Sequence, residues 1–366
     1  MHVNEIHLIQ YRNYRGLKVR LNPKLNIFLG KNAQGKTNLL EAIYLGAAAK
    51  SFRGNKDQEM IQLGKNAAYV GISYEDDLGE HKLEFKFQKD KTKRFKRNGL
   101  ELQKTSEIIG HINVVIFSPE DLKIVKEGPI VRRAFLNNEL SQIKPRYRYA
   151  LYKYNKVIRQ RNNYLKSIKY GGKDEALLDV YDDQLAEYGS DILKFRIQFI
   201  DRLSIFSKKI HEKITHGAEG LKLKYETSVS LDGDLRDNLK RAFVGARLED
   251  IEKTRTSVGP HRDDFSIWIN DLEAKVYASQ GQQRTAALSV KLAEVDLMKA
   301  ESGEYPILLL DDVLSELDLS RRQDLISAFK GIQTIVTTTD DEDLRALTDL
   351  DKSFYHISEG DITKVE

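Results

Sequence analysis

Eight consecutive residues, Gly30-Lys31-Asn32-Ala33-Gln34-Gly35-Lys36-Thr37, carry the spacing GxxxxGK(S/T) of a phosphate-binding loop. Gly30 and Gly35 let the backbone turn its N–H groups toward phosphate oxygens. Lys36 reaches the β- and γ-phosphates, and the Thr37 hydroxyl is placed to ligate Mg²⁺. Ala33 stands where a third glycine is common, and Asn38 continues the loop into the following element. Far downstream, Ile307-Leu308-Leu309-Leu310-Asp311-Asp312 is an apolar run closed by two acids, the Walker B pattern. There Asp311 would share the Mg²⁺ with Thr37, while Asp312 would polarise an attacking water. Glycines serving a plain turn would leave the adjacent Lys36-Thr37 unexplained. The residues from Gly30 to Asn38 are therefore the expected nucleotide ligands, with Lys36 and Asp312 as the catalytic pair.

These side chains need a strand before the loop and a helix after it. Leu25 to Leu29 reads as a short buried strand, and Asn38-Leu39-Leu40-Glu41-Ala42-Ile43-Tyr44-Leu45 has apolar residues at helical spacing. Ile307 to Leu310 reads as a strand buried on both faces. Upstream, Val3 to Leu8 and Leu17 to Leu21 alternate around a turn at Tyr11-Arg12-Asn13-Tyr14-Arg15-Gly16, and further strands are expected at Tyr69 to Tyr74, Lys82 to Phe87 and Ile112 to Phe117. Asn98-Gly99 between alternating runs signals a tight hairpin, and Ser118-Pro119-Glu120-Asp121 a helix start.

From Pro145, Tyr147, Leu151, Tyr154, Ile158, Leu165 and Ile168 recur at three-four spacing, interrupted by Arg161. After Gly171-Gly172, Leu178, Tyr181, Leu185, Tyr188, Ile192, Phe195 and Phe199 do the same. Two such stripes predict an antiparallel helical hairpin, about 40 Å long at the helical rise per residue. The chain then returns to strand at Leu221 to Tyr225, helix at Leu235 to Leu248, strands at Asp264 to Ile269 and Ala274 to Tyr277, and a helix from Thr285 to Ala300. Past Asp312, a helix over Arg321 to Phe329, a strand at Gln333 to Val336, another helix and a strand at Phe354 to Ile357 complete a strand-helix alternation. No internal repeat or low-complexity stretch interrupts the pattern.

The 366 residues contain no cysteine, so no disulfide framework or thiolate metal site is possible. Without a signal-peptide pattern or a long apolar run, the expectation is a soluble cytoplasmic protein with no membrane segment. The net charge is +4, yet Lys123 to Lys173 holds fourteen basic residues and two acids, a local +12 that leaves −8 elsewhere. Like charges at helical spacing repel unless something anionic relieves them, which favours phosphate contact over a merely solvated face. The cations expected to meet DNA are Arg148, Lys153, Lys156 and Arg159, with Arg53, Arg132 and Arg133. Tyr147 and Tyr154 fall on the apolar stripe and are expected in the core. His261 is read as a turn residue without a catalytic role.

Ser279-Gln280-Gly281-Gln282-Gln283-Arg284-Thr285 lies at a helix start ahead of the Walker B strand and would by itself be a Ser-capped helix. The order phosphate loop, Ser-x-Gly-Gln, Asp-Asp and Ser315-Glu316-Leu317-Asp318 resembles an ABC-type ATPase head. The whole chain is similar to the RecF family of bacterial recombination and gap-repair ATPases, short-armed relatives of the structural-maintenance-of-chromosomes proteins. The likeness includes Tyr11-Arg12-Asn13-Tyr14, Lys50-Ser51-Phe52-Arg53, Phe117-Ser118-Pro119-Glu120-Asp121-Leu122, Arg132-Arg133-Ala134-Phe135-Leu136 and Gly259-Pro260-His261-Arg262-Asp263-Asp264.

The resemblance implies an α/β fold, an ABC-type ATPase head over residues 1–122 and 245–366 with an inserted helical lobe over 123–244. It implies ATP and Mg²⁺ as cofactors. Ser279, Gly281 and Gln282 would face the γ-phosphate of ATP bound to a partner subunit, which makes the protein an ATP-gated homodimer. It also implies binding to double-stranded DNA at gaps or junctions, and help in loading the recombinase together with RecO and RecR. Three departures imply slow hydrolysis. Val115 and Ile116 stand where a Gln is usual, Thr337-Thr338-Thr339 where a switch His is usual, and Asp312 replaces the usual Glu. The rival readings are the nucleotide-binding subunit of an ABC transporter and a DNA clamp that binds ATP without turnover.

Overall fold

The computed structural model describes residues 1–54, 56–172, 174–314, 322, 325, 331–339 and 351–365. The expected Ser315 to Asp318 segment and, apart from Arg322 and Leu325, the two helices expected beyond it lie outside the described residues. The chain divides into two compact units, Met1–Asp121 with Lys291–Glu366, and Leu122–Val290.

In chain order the elements are β1 (His2–Tyr11), β2 (Tyr14–Arg20), β3 (Leu25–Leu29), α1 (Lys36–Ala48), β4 (Ala67–Asp76), β5 (Gly79–Gln88), β6 (Arg94–Arg97), β7 (Leu100–Leu102) and β8 (Val114–Phe117). They continue with α2 (Lys123–Lys126), α3 (Pro129–Ile143), α4 (Pro145–Gly171), α5 (Leu178–Ile214), β9 (Leu221–Glu226), α6 (Leu235–Gly245), α7 (Arg247–Lys253), β10 (Asp264–Ile269), β11 (Leu272–Glu273), α8 (Ala274–Tyr277) and α9 (Gln280–Ser302). The last strands are β12 (Ile307–Asp311), β13 (Thr334–Thr338), β14 (Lys352–Ser358) and β15 (Asp361–Lys364).

The first unit is two six-stranded sheets, an antiparallel one ordered β2-β1-β4-β5-β6-β7 and a mostly parallel one ordered β15-β14-β3-β13-β12-β8. β14, β3, β13, β12 and β8 run parallel, and β15 closes the edge antiparallel. Helix α1 packs against strands of both sheets, and eleven of its thirteen residues are buried. A helix apolar nearly all round can only be buried, and two sheets supply both covers. Their shared core includes Ile6, Val70, Phe85, Leu40, Ile43, Phe28, Leu309 and Ile335. Gln333 ties the sheets by polar means: its amide accepts from Val3 N–H (2.7 Å) and donates to Val3 O (2.8 Å), as a strand would. At the hairpin between β6 and β7, Asn98 (φ 50°) and Gly99 (φ 81°) are both left-handed, the backbone a two-residue I′ turn requires. Ser118-Pro119 opens the helix start expected there, as a 3-10 turn over Pro119–Leu122 that runs into α2.

In the second unit α4 and α5 pack as the expected hairpin, with α5 running on to Ile214. Its 37 residues span about 55 Å. The three-stranded sheet β11-β10-β9 packs on α5 through β9. This unit extends past the lobe expected from the sequence, because segment 245–290 packs here: β10 pairs with β9 from Asp264↔Glu226 to Ile269↔Leu221, and Asp250 of α7 takes an ion pair from α4. The helix expected over Leu235 to Leu248 is two helices that meet at Ala246. The strand expected at Ala274 to Tyr277 is helical instead. β11 runs out after two residues, with no further strand partner among the described residues for Lys275, Val276 and Tyr277, which are exposed, and the chain coils so that Ala274 O accepts from Ala278 N–H (3.3 Å) and Gln283 Nε2 (3.0 Å).

Two arginines lie in the apolar seam of the hairpin. Arg161, wholly buried, meets Asp182 (2.8 Å) and Asp250 (2.6 Å) and donates to Thr256 Oγ1. Arg196 donates to Tyr147 OH (3.0 Å), Asn137 Oδ1 (2.8 Å) and Pro260 O (2.6 Å). His261 is a structural residue of the same region: Nε2–H donates to Thr256 O (3.0 Å), so Nδ1 is left to accept from Tyr154 OH (2.9 Å). Burial, chiefly, pulls its pKa from 6.5 down to about 4. A base depressed in the folded state contributes stability above the unfolded value and loses it as pH falls. Acidification from pH ~7 to pH ~5 should thus cost about 2 kcal/mol at this group. His261→Gln should flatten that part of the urea-unfolding pH profile, and an unchanged profile would place the imidazole in solvent.

Candidate functional site

The phosphate loop leaves the carboxyl end of β3, in the parallel sheet, where ligands of open α/β sheets bind. Gly30 is required by packing, because a Cβ there would lie 2.6 Å from Ile357 O. Gly35 has φ 113°, and a Cβ would strike the Asn13 side chain at 2.4 Å. Ala33 takes the left-handed backbone (φ 65°) that favours glycine. Lys31, Asn32 and Ala33 are exposed, while Lys36 folds back with Nζ 2.6 Å from Gly30 O. Burial lowers the Lys36 pKa against the pull of Asp312 and Asp311.

The structure joins Thr37 to Asp311, 274 residues away in sequence: Thr37 Oγ1 donates to Asp311 Oδ1 at 2.8 Å. Thr337, in the threonine run that replaces the switch His, lies 3.0 Å from the same carboxylate oxygen, and its backbone O (3.1 Å) and Oγ1 (3.2 Å) accept from Asp312 N–H. Burial pushes the Asp311 carboxyl up, against the hydrogen bonds of Thr37 and Thr337. A desolvated carboxylate beside a hydroxyl is an oxygen pair suited to a hard divalent cation. Asp312 sits at φ 55°, fixed by those bonds to Thr337.

Sequence reasoning missed the support beneath the loop. Asn13 Nδ2 donates to Gln34 O (2.9 Å), Tyr14 OH to Gly35 O (2.9 Å), and Asn38 Nδ2 to Asn13 Oδ1 (2.8 Å). Glu41 of α1, fully buried, gathers Tyr11 OH (2.9 Å), Arg12 Nε (2.8 Å) and Nη2 (2.7 Å), and Ser51 Oγ (2.5 Å). Burial opposes its charge, and the bonds from Arg12 and Ser51 overcome that and hold the carboxyl below its usual range. The signal was an acid within the run from Leu39 to Ala48, which is otherwise apolar. A cavity of about 1090 Å³ opens beside the loop, lined by Arg12, Asn13, Arg15, Asn38 and Gln62 among others. Arg53, expected at DNA, is placed here: its Nη1 donates to Asn38 Oδ1 (3.1 Å).

In the second unit Ser279-Gln280-Gly281-Gln282 forms a capping box. Gln282 N–H donates to Ser279 Oγ (3.3 Å) and Ser279 N–H to Gln282 Oε1 (2.8 Å). Ser279 and Gly281 are exposed, as are Val276 and Tyr277 just before them.

The basic stretch is partly neutralised by acids distant in sequence. Arg146 pairs with Asp191 and Arg161 with two aspartates. Arg132 corrects the list of DNA cations: it is buried, bidentate on Asp264 (2.7 and 2.6 Å), with Nη1 on Glu127 O (2.8 Å) and Ile124 O (3.2 Å). A guanidinium so desolvated and neutralised is not available to phosphate. Arg133 is half-buried and donates to Asp263 O (2.8 Å). Arg148 donates to Ser141 O, and Lys153 stands over the Tyr149 ring. With exposed Lys156 and Arg159 they lie on one side of α4, at steps of five, three and three residues.

With this geometry in hand, comparison with known proteins becomes specific. The family model "RecF/RecN/SMC N terminal domain" matches residues 2–359. A DNA replication and repair protein RecF from Clostridium perfringens is 44% identical over 362 residues, 99% of each chain. The chain belongs to the RecF family. A solved structure of the recombination mediator protein RecF with ATP, in the RecFOR pathway, matches with a TM-score of 0.93 at 38% identity, over 100% of this chain and 98% of that one. An Smc head bound to the C-winged helix domain of ScpA, 15% identical with a TM-score of 0.58 over 100% of this chain and 97% of that one, shares the ABC-type ATPase head fold. RecF membership sets aside the transporter-subunit reading. Among the described residues no helix is long and apolar enough to cross a membrane.

Gly30→Ala should cut nucleotide affinity at least tenfold in a fluorescent-nucleotide titration, since its methyl must displace the β14 backbone. Ala33→Gly should leave affinity within about twofold, because glycine accepts that backbone freely. Equal effects of the two would detach the loop geometry from binding.

Proposed function

We propose that the protein is an ATP-dependent DNA-binding protein of recombinational gap repair. The observation that carries this is the Thr37–Asp311 hydrogen bond, which unites the phosphate loop and Walker B strand at the carboxyl end of one parallel sheet. The RecF relative solved with ATP supports the choice of nucleotide. The ligands are Gly30 to Asn38, with the cavity lined by Arg12, Asn13 and Arg15 to receive the rest of the nucleotide. Bound Mg²⁺ supplies charge neutralisation on the phosphates, and Thr37 and Asp311 are the oxygens that would hold it. Lys36 leaves Gly30 O for the β/γ-phosphates. Asp312 accepts the proton of the attacking water, and its short side chain makes hydrolysis slow.

Each active site is composite in this reading, with Ser279, Gly281 and Gln282 of a second copy closing on the γ-phosphate. The exposed Val276 and Tyr277 beside that turn give the homodimer apolar contact area. Double-stranded DNA lies on the stripe of Arg148, Lys153, Lys156 and Arg159, with Arg133 alongside. RecO and RecR are the expected partners in loading the recombinase, as the RecFOR pathway of the RecF relative suggests.

Lys36→Ala should abolish tight ATP binding, and Ser279→Arg should bind ATP yet fail to dimerise. Mixed together they can form a heterodimer with one wholly intact site, so sedimentation should show partial rescue of ATP-dependent dimerisation. No rescue from two well-folded variants would mean either that two intact sites are needed or that the signature acts within its own chain. Replacing Arg148, Lys153, Lys156 and Arg159 together should reduce the slope of log affinity against log salt by up to about 4. An unchanged slope would return the stripe to a solvated face.

A further inference from the structure

Glu219, in the connection between α5 and β9, touches the signature turn from below. Its Oε1 accepts from Gln282 Nε2 at 2.9 Å, and its Oε2 lies 3.2 Å from His211 Nε2. His211 is fully buried in the last turn of α5, and its Nδ1 lies 3.0 Å from Ser289 Oγ on α9. The Ser289 hydroxyl donates in turn to Thr285 O (2.8 Å). Glu219, His211 and Ser289 have no part in the proposed reaction.

The Gln282 amide is held at both ends. Its oxygen must face the Ser279 N–H and its nitrogen must face the Glu219 carboxylate, because the flipped amide would set donor against donor and oxygen against carboxylate. Glu219 thereby selects the amide orientation that closes the capping box, and with it the placement of the Ser279 hydroxyl and the Gly281 backbone. Without Glu219 the Ser279 N–H alone would set the amide orientation, from one end.

We propose that Glu219 is a positioning residue for the signature turn, clamped to the end of α5 by His211, so that the arm helix and the signature turn move as one piece. This rests on the reading of Ser279, Gly281 and Gln282 as the seat for a partner-bound γ-phosphate. Helix α5 packs along α4, which carries the basic stripe, so DNA contact on the arm and signature geometry share a connected support.

The test compares Glu219→Ala, Glu219→Gln, Gln282→Ala and the double variant Glu219→Ala/Gln282→Ala in the full chain, with ATP and duplex DNA as probes. Glu219→Ala should keep nucleotide affinity at protein concentrations below dimerisation and keep DNA affinity, while ATP-dependent dimerisation weakens about tenfold. Glu219→Gln should restore most of it: its carbonyl still accepts from Gln282, and its amide donates to His211 Nε2 once that ring carries its proton on Nδ1 toward Ser289. The double variant should be no worse than the poorer single one, as expected when both act through one contact. Normal dimerisation by Glu219→Ala, with Gln282→Ala impaired, overturns the proposal and leaves the signature reading standing. Failure of Glu219→Gln to rescue overturns it as well, even if Glu219→Ala is poorly folded. If Gln282→Ala and Ser279→Arg both dimerise like the unaltered chain, the signature reading falls and the proposal with it.

Discussion

The hydrogen bond from Thr37 to Asp311 sets the terms for the first unit. It forms only if β3 and β12 run parallel with their carboxyl ends level, β13 lying between them to supply Thr337. Parallel neighbours need covered faces, and α1 with the antiparallel sheet supplies one cover. The helix that begins at Lys36 is therefore both the anchor of the phosphate loop and part of the core. Its one buried acid, Glu41, can stay charged there only because Tyr11, Arg12 and Ser51 converge on it. A buried carboxylate stripped of such partners would cost several kcal/mol, so the β1–β2 turn and the segment after α1 are held to the site by charge as well as by packing.

The second unit solves a different problem with similar means. Its long hairpin has too many cations for a self-contained helix pair, and it places the two on the apolar stripe, Arg161 and Arg196, inside. Asp182 and Asp250 neutralise Arg161, and hydroxyl, amide and carbonyl oxygens solvate Arg196. Those partners come from α3, α4, α5, α7 and the loop at Pro260, and Asp250 and Pro260 tie the segment after the hairpin onto it. What remains outward on α4 is a stripe of basic residues without acids of its own. The buried charges are matched inside the arm, and the other basic residues of α4 stand at its surface.

The same residue types thus carry opposite meanings according to burial. Arg132 and Arg133 are adjacent, yet one is bidentate on Asp264 in the interior and the other keeps part of its guanidinium at the surface. Gln282 caps its own helix while being held by Glu219, so a motif that looks like ordinary helix-start chemistry is tied to the end of a helix about 55 Å long.

The sequence alone determined the phosphate loop, the Walker B strand, the helical hairpin and the Asn98-Gly99 turn, because each depends on local spacing: glycine backbone freedom, period 3.6 or 2, and the reach of Lys36. It also showed Arg161 as a charge interrupting an apolar stripe. Only the tertiary structure decided which acids answer, and which cations are spent. Asp182, Asp250, Asp264 and Glu41 pair with residues 21 to 132 positions away, and no local pattern encodes such distances. The same holds for the helical turn at Ala274–Tyr277 and the packing of segment 245–290. Strand pairing there depended on which neighbour lay within hydrogen-bonding reach, and that is a property of the folded chain.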